Sequence, residues 1–351
     1  MEDKQVKKIL RVVGIIIVAL VCIFLFTFRN ELKTLTQIEK VNNYPFYKMD
    51  YAGDYGLDEL LENGVSSDAE LAQFATKKLL KGIPIKIKVP NLGCTTFNVE
   101  TKAGDHLFAR NFDLTKDPIM VVKTHPKNGY KSISMVNPGI IGVKDGNIAK
   151  LSKKVMLLVA PYIPLDGMNE KGVSIAVLRL PDKPTNQQTN KTDITTTIAI
   201  RMVLDRASSV NEAIKLLEKY DMHSSANTAY HFQIADKQGH SAVVEYVDNH
   251  LKILSSKKQP QVATNFYLSP GAQYMEGNGQ DRYAKVKNRL KQKDNTLSTA
   301  QAMSLLQEVH MEKNAKNQME TQWSSVYNLD QKTMTLVIGH NLKNKYTYQL
   351  K

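Results

Sequence analysis

The stretch Val12–Phe28 runs for 17 residues without a charged side chain, and Ile9 and Leu10 extend it past the single Arg11. A run this long and apolar has two places to go, the core of a large protein or a lipid bilayer. As a helix, Ile9 to Phe28 rises about 1.5 Å per residue and spans roughly 30 Å, one hydrocarbon thickness. Arg11 and Arg29 fall near its ends, where their stems can lie along the helix while the charges reach the headgroups. A cleaved signal peptide would have a shorter apolar region and then a small-x-small site, which Thr27-Phe28-Arg29-Asn30 does not offer. A lipoprotein signal needs a small residue before its cysteine, whereas Val21 precedes Cys22. Lys4, Lys7, Lys8 and Arg11 outnumber the positive charges just beyond the run, which puts the N-terminus in the cytoplasm. The expectation is a cytoplasmic tail (1–11), a single-pass anchor in the cell membrane (12–28) and an extracytoplasmic body.

That body carries most of the charge. The chain has 351 residues and a formal charge of +13; residues 1–93 hold 13 Lys+Arg against 11 Asp+Glu, leaving +11 for residues 94–351. The basic residues form no dense run: Lys285, Lys287, Arg289, Lys291 and Lys293 alternate and so spread around a helix. A solvated surface accounts for this, and attraction to anionic lipid headgroups or envelope polymers is the functional reading. Nucleic acid does not fit an exported body without interleaved aromatics. Two cysteines exclude a disulfide framework and any cysteine-based zinc site.

Residues 30–64 read as a polar stalk with weak helix around Leu57–Glu62, and 29–93 as a whole as a stalk and helical leading segment. Ser67-Asp68-Ala69-Glu70 is a capping box, followed by Leu71, Phe74, Ala75 and Leu79 at helical spacing. Ile85, Ile87 and Val89 alternate between two prolines and predict a short edge strand. Thr95–Val99 and His106–Phe112 flank the turn at Ala103-Gly104-Asp105 and predict a hairpin. Further strands are expected at Met120–Thr124, Ser132–Val136, Val155–Pro161 and Val173–Leu180. Helices are expected at Thr195–Arg206 and Ser209–Tyr220. Strands return at Ala229–Ala235, Ser241–Val247, Leu251–Leu254 and Val262–Asn265. Helices at Gln280–Lys291 and Ser298–His310 precede a last hairpin, Trp323–Leu329 with Thr333–Gly339. Strands in blocks separated by helix pairs argue for α+β architecture with antiparallel sheets and segregated helix layers.

The sequence has no G-x-x-x-x-G-K-[ST], no G-x-S-x-G, no H-E-x-x-H and no close histidine pair, so no metal or cofactor is called for. What remains is Cys94, the one cysteine outside the apolar run. A thiol is a good nucleophile near neutral pH once something lowers its pKa or takes its proton; taken alone, it reads first as a small buried apolar residue.

Its surroundings are more specific. Gly93-Cys94-Thr95-Thr96-Phe97 and Phe108-Ala109-Arg110-Asn111-Phe112-Asp113 place Arg 16 and Asp 19 residues after the cysteine. Asp166-Gly167-Met168-Asn169-Glu170-Lys171-Gly172, Ala263-Thr264-Asn265, Asp281-Arg282-Tyr283 and Trp323-Ser324-Ser325-Val326-Tyr327-Asn328-Leu329 follow in order. This series resembles the choloylglycine hydrolase family of linear amide C–N hydrolases, within the N-terminal-nucleophile (Ntn) superfamily. It covers the chain from about Gly93 onward. The 93 residues before Cys94 and the 16 between Asn265 and Arg282 look more like the acid ceramidase-like and acyltransferase-like branches than bile salt hydrolases, which begin at the cysteine.

The resemblance implies a four-layer αββα sandwich over residues 94–351, cut at Gly93-Cys94 so that the freed α-amine is the general base. The reference pKa of such an amine, about 7.7–8.0, suits proton transfer near neutral pH. Arg110 would stabilise the thiolate or a substrate carboxylate, and Asp113 would orient the α-ammonium. Asn169 and Asn265 would donate to the oxyanion, with a turn residue as the other reading of Asn169. Arg282 completes the polar site by resemblance, or is an ordinary charge at a helix start. Three residues apart, Arg110 and Asp113 face opposite sides of a regular strand, so a shared target predicts an irregularity at Asn111–Asp113. The expected function is hydrolysis of an N-acyl amide through a Cys94 thioester. Acyl transfer to an amine and a catalytically silent envelope binding protein are the alternatives.

Overall fold

The computed structural model describes residues 2–42, 44–88, 93–144, 148, 150–271, 273–313 and 318–350. Helix α1 (Glu2–Thr27) contains the apolar run, and α2 (Arg29–Thr36) follows it. Residues 4–27 are long and apolar enough to cross a membrane and none is buried against the body; a signal sequence shares that property.

The segment expected to be a stalk is built into the body. Strands β1 (Ile38–Lys40) and β2 (Phe46–Tyr51) enter a sheet, and α3 (Leu57–Asn63) and α4 (Asp68–Lys78) pack beside it. In β2, Phe46, Tyr47, Met49 and Tyr51 are buried, and the strand pairs in parallel with β5 (Ile119–Thr124). Ser67 caps α4 as expected, accepting from the Glu70 N–H. Residues 83–88 form no strand, and Val89 of the expected edge strand lies outside the described residues.

The central hairpin is β3 (Gly93–Glu100) with β4 (His106–Leu114). Strand β6 (Ser132–Val136) follows β5. Residues 155–161, expected as a strand, are instead the end of helix α5 (Leu151–Met156) and a 3-10 segment, Leu157–Tyr162. All six residues of that segment are buried, so the apolar run reflects burial on every side rather than a strand period. Then come β7 (Pro164–Asn169), β8 (Val173–Leu180), β9 (Thr192–Thr195), α6 (Thr196–Arg206), α7 (Val210–Leu217) and β10 (Tyr220–His223). The chain continues through β11 (Ala229–Asp236), β12 (His240–Val247), β13 (His250–Lys257), β14 (Val262–Ala263), β15 (Asn265–Phe266) and β16 (Gly277–Asn278). Last are α8 (Gln280–Lys291), α9 (Thr299–Glu308), β17 (Glu320–Asn328), β18 (Thr333–Ile338) and β19 (Lys345–Gln349).

Two sheets form the centre. One has nine strands in the order β1-β2-β5-β6-β7-β8-β11-β12-β13, the other six in the order β14-β3-β4-β17-β18-β19. They face each other where β3 meets β8. Helices α6 and α7 cover the outer face of the large sheet; α8 and α9 cover that of the small one. Phe97, Val99, Leu107 and Ala109 point outward under α8 and α9, while Cys94, Phe108 and Phe112 point into the space between the sheets. The four expected layers are all present, and β3 carries Cys94 into their middle.

Candidate active site

Alternation along the hairpin decides what surrounds Cys94. In the β3–β4 register Cys94 is opposite Phe112 and Gly93 opposite Asp113. Arg110, two residues from Phe112, therefore shares the face of the thiol. Its Nη2 donates to Cys94 Sγ at 3.2 Å and its Nη1 to Leu165 O at 2.6 Å. The guanidinium is completely buried, with Nε 3.3 Å from Asp166 Oδ2 and its centre 5.1 Å from the Phe112 ring. Trp323 stacks on Phe112 at 4.0 Å and donates from Nε1 to Asp166 Oδ2 at 3.2 Å, while the Tyr327 hydroxyl donates to Asp166 Oδ1. Burial raises the Asp166 carboxyl above its usual range, against the pull of Arg110 and these two donors. Asp166 was visible in the sequence only as part of a motif without a role; here it is the counter-charge of Arg110. Its neighbour Gly167 is explained by space, since a Cβ there would lie 2.6 Å from the Ile133 carbonyl oxygen.

Asp113 lies on the other face of β4. It accepts from Thr321 Oγ1 at 2.6 Å and from Arg282 Nη1 at 3.2 Å. The irregularity expected at Asn111–Asp113 is absent: β4 pairs in unbroken register with β3 through Asp113. The register shift sits in β17 instead, where Gln322 is the extra residue between Thr321 and Trp323. Arg110 and Asp113 thus do not converge on the thiol. Arg110 holds the side chain of Cys94, and Asp113 lies against Gly93, the residue before it.

Asn265 and Arg282 complete the backbone side. Cys94 N–H donates to Asn265 Oδ1 at 2.8 Å, and Asn265 Nδ2 donates to Arg179 O at 2.9 Å. Arg282, at the start of α8, donates from Nη1 to Cys94 O at 2.8 Å and to Thr95 Oγ1 at 2.7 Å, and from Nη2 to Asn265 Oδ1 at 3.0 Å. Arg282 therefore ties Cys94, Asp113 and Asn265 together rather than standing as a solvated helix charge.

Asn169 does not join them. Its Nδ2 donates to Leu204 O at 3.1 Å and Ala207 O at 2.7 Å, and its Oδ1 accepts from the amides of Lys171 and Val173. With both amide hydrogens engaged, it has none for an oxyanion in this arrangement, and its side chain closes the turn before β8. Asn169→Ala should therefore cost stability, about 1–3 kcal/mol from the buried groups left unpaired. Below the melting transition kcat should stay within about threefold of wild type, because no transition-state contact is lost. Thermal melts and initial rates at one temperature check both.

The Cys94 thiol is fully buried and donates to Val177 O at 3.6 Å. Burial pushes its pKa up to about 11, opposed by Arg110 and Arg282 and reinforced by Asp113. In the uncut chain the thiol is thus protonated at neutral pH, and a base is needed to activate it.

Comparison with known proteins identifies the family and the fold. The family model for linear amide C–N hydrolases of the choloylglycine hydrolase family matches residues 94–296. The chain is 30% identical over 172 residues to a bile salt hydrolase/transferase of Clostridium perfringens, 46% of this chain and 51% of the relative. It is 31% identical over 111 residues to a penicillin V acylase of Pectobacterium atrosepticum, 28% of this chain and 29% of the relative. The match thus spans about half the length or less of these curated relatives. Among solved structures, a mutant of the conjugated bile acid hydrolase from Clostridium perfringens superposes with TM-score 0.54 at 20% identity, covering 73% of this chain and 92% of that one. Penicillin V acylase from Agrobacterium tumefaciens superposes with TM-score 0.51 at 19% identity, covering 70% and 83%. The fold is that of these Ntn hydrolases, and the chain belongs to the choloylglycine hydrolase family of linear amide C–N hydrolases.

Proposed function

We propose that this protein is a membrane-anchored cysteine hydrolase that cleaves the linear amide bond of an N-acyl amide through a thioester at Cys94. The observation that carries the reading is the double grip on Cys94: the Arg110 guanidinium on its sulfur and Asn265 Oδ1 on its nitrogen. An ordinary core cysteine has no use for a buried cation on its thiol.

Cutting at Gly93-Cys94 would turn the nitrogen held by Asn265 into a free amine, close enough to take the thiol proton. The thiolate then attacks the acyl carbon, and the proton passes to the leaving amine as the C–N bond breaks. Water attacks the resulting thioester, the sulfur leaves as thiol and the carboxylic acid is released. Asn265 is the amide left to serve the oxyanion once Asn169 is set aside. Asp113 and Arg282 hold the new terminus in place. Residues 1–28 are read as cytoplasmic tail and single-pass anchor with the body outside, which puts lipid-like acyl chains within reach; the basic body would favour anionic headgroups or envelope polymers.

Acyl transfer to an amine is the second reading, favoured by the hydrolase/transferase name of one relative. A panel of N-acyl amides assayed with and without added amines tests both. Release of free acid supports hydrolysis, and acyl-amine product in its place supports transfer. A wild-type chain that cleaves nothing and resists thiol-directed acylating probes would return the protein to the binding-protein reading.

A further inference from the structure

Behind Asn265 stands a buried charged pair that the proposed reaction does not use. His231 on β11 and Glu245 on β12 are both fully buried, with Nδ1 3.0 Å from Oε1. On its other side, His231 Nε2 lies 2.7 Å from the Thr264 carbonyl oxygen. Glu245 Oε1 also accepts the Leu268 N–H at 2.8 Å, and Oε2 accepts the Ser269 N–H at 2.8 Å.

These contacts fix the protonation of the ring. A carbonyl oxygen only accepts, and a carboxylate receiving amide donors at both oxygens accepts as well. Both imidazole nitrogens therefore donate, which makes His231 an imidazolium paired with an ionised Glu245. Burial works to raise the Glu245 carboxyl, but His231 and the donors at Ser269 and Leu268 outweigh it and hold it below the usual range. Such a pair adds little net stability over apolar side chains of similar volume, so fixing geometry is the use that remains. The geometry it fixes is local. His231 grips the loop at residue 264 and Glu245 grips it at 268 and 269, on either side of Asn265.

Resting on the role given to Asn265 above, we propose that His231 and Glu245 form a positioning clamp that holds the 264–269 loop so that Asn265 stays on the Cys94 nitrogen. Neither touches the reacting atoms. In Glu245→Gln, the neutral amide turns an N–H toward one of three existing donors, and in His231→Gln the carboxylate loses its cation. Either change frees one end of the loop.

The test uses the full-length protein and the best substrate of the N-acyl amide panel. His231→Gln and Glu245→Gln should each lower kcat by about tenfold or more while KM stays within about threefold. The double variant should be no worse than the weaker single, because both act through one loop. Folded single variants with wild-type kcat would overturn the proposal. Should the variants fail to fold, nitrogen NMR of ¹⁵N-histidine-labelled wild type decides. Two protonated ring nitrogens at His231 at neutral pH support the clamp, and one unprotonated nitrogen overturns it. That spectrum needs no turnover, so an inactive wild type would remove the hydrolase reading and still leave the clamp decided.

Discussion

Replacing Cys94 by alanine is expected to abolish amide hydrolysis and to leave the chain whole at Gly93-Cys94. Loss of a nucleophile that works as a unit with its base costs roughly 10⁶-fold in kcat in the best-studied hydrolases, and a residual rate is then hard to detect. The fold should tolerate the change, because the thiol contributes one long contact to Val177 O and one to Arg110. Intact-mass measurement reads the cut directly: wild type gives two fragments whose masses sum to the uncut chain plus one water, and Cys94→Ala gives one unbroken chain. Wild-type hydrolysis from an unbroken chain would show that the α-amine is not the base. Hydrolysis surviving in Cys94→Ala would remove the nucleophile assignment altogether.

Arg110→Met should have the largest effect on stability. It preserves bulk but leaves Asp166 buried with only Tyr327 and Trp323 as donors, and breaking a buried pair from one side costs about 3–5 kcal/mol. The effect has a defined pH sign. Burial raises the folded Asp166 carboxyl above its unfolded value, so the folded state holds that proton more tightly. The carboxyl therefore adds stability as pH falls through the raised pKa toward the unfolded value, and that gain is lost as pH rises. Removing Arg110 lifts the folded value further, so the deficit against wild type should be greatest at neutral pH and shrink on acidification. Denaturant midpoints at several pH values check this; a deficit that grows in acid contradicts the ion-pair role. The thiol should respond as well. Without Arg110 its pKa moves above about 11, and alkylation of Cys94 should require still higher pH.

The elements around Cys94 were legible because their signals are local. The β3–β4 hairpin follows from alternation on either side of Gly104, and Ser67 and Ser209 announce α4 and α7 by side chains that accept from the third residue onward. The spacing of Arg110 and Asp113 from Cys94 likewise survives into three dimensions, although on two faces of a straight strand. Other features depend on partners distant in sequence. Residues 46–51 look like part of a polar linker until they meet β5, about 70 residues on, in a parallel pairing that leaves no mark on either segment alone. Residues 157–162 are apolar because everything around them is protein, and a run of that length does not distinguish strand from helix. Asn169 is ambiguous for a related reason: an asparagine after Asp-Gly-Met carries the same letters whether its amide faces a substrate or closes a turn. The His231–Glu245 pair had no sequence signal, since the residues are 14 apart and act on a loop some 30 residues further along.

The parallel junction of β2 with β5 has a further consequence. If the chain is cut before Cys94, its nine-stranded sheet is afterwards made by two polypeptides, one contributing β1 and β2 and the other seven strands. Tyr55, fully buried, reaches across the same seam to the carboxylate of Asp205. An uncut chain can recover this seam as a first-order event. The cut protein must find its missing piece by collision, so refolding becomes second order and recovery after heating depends on protein concentration. Maturation would thus exchange a molecule able to refold alone for one whose lifetime is set by how slowly the seam first opens.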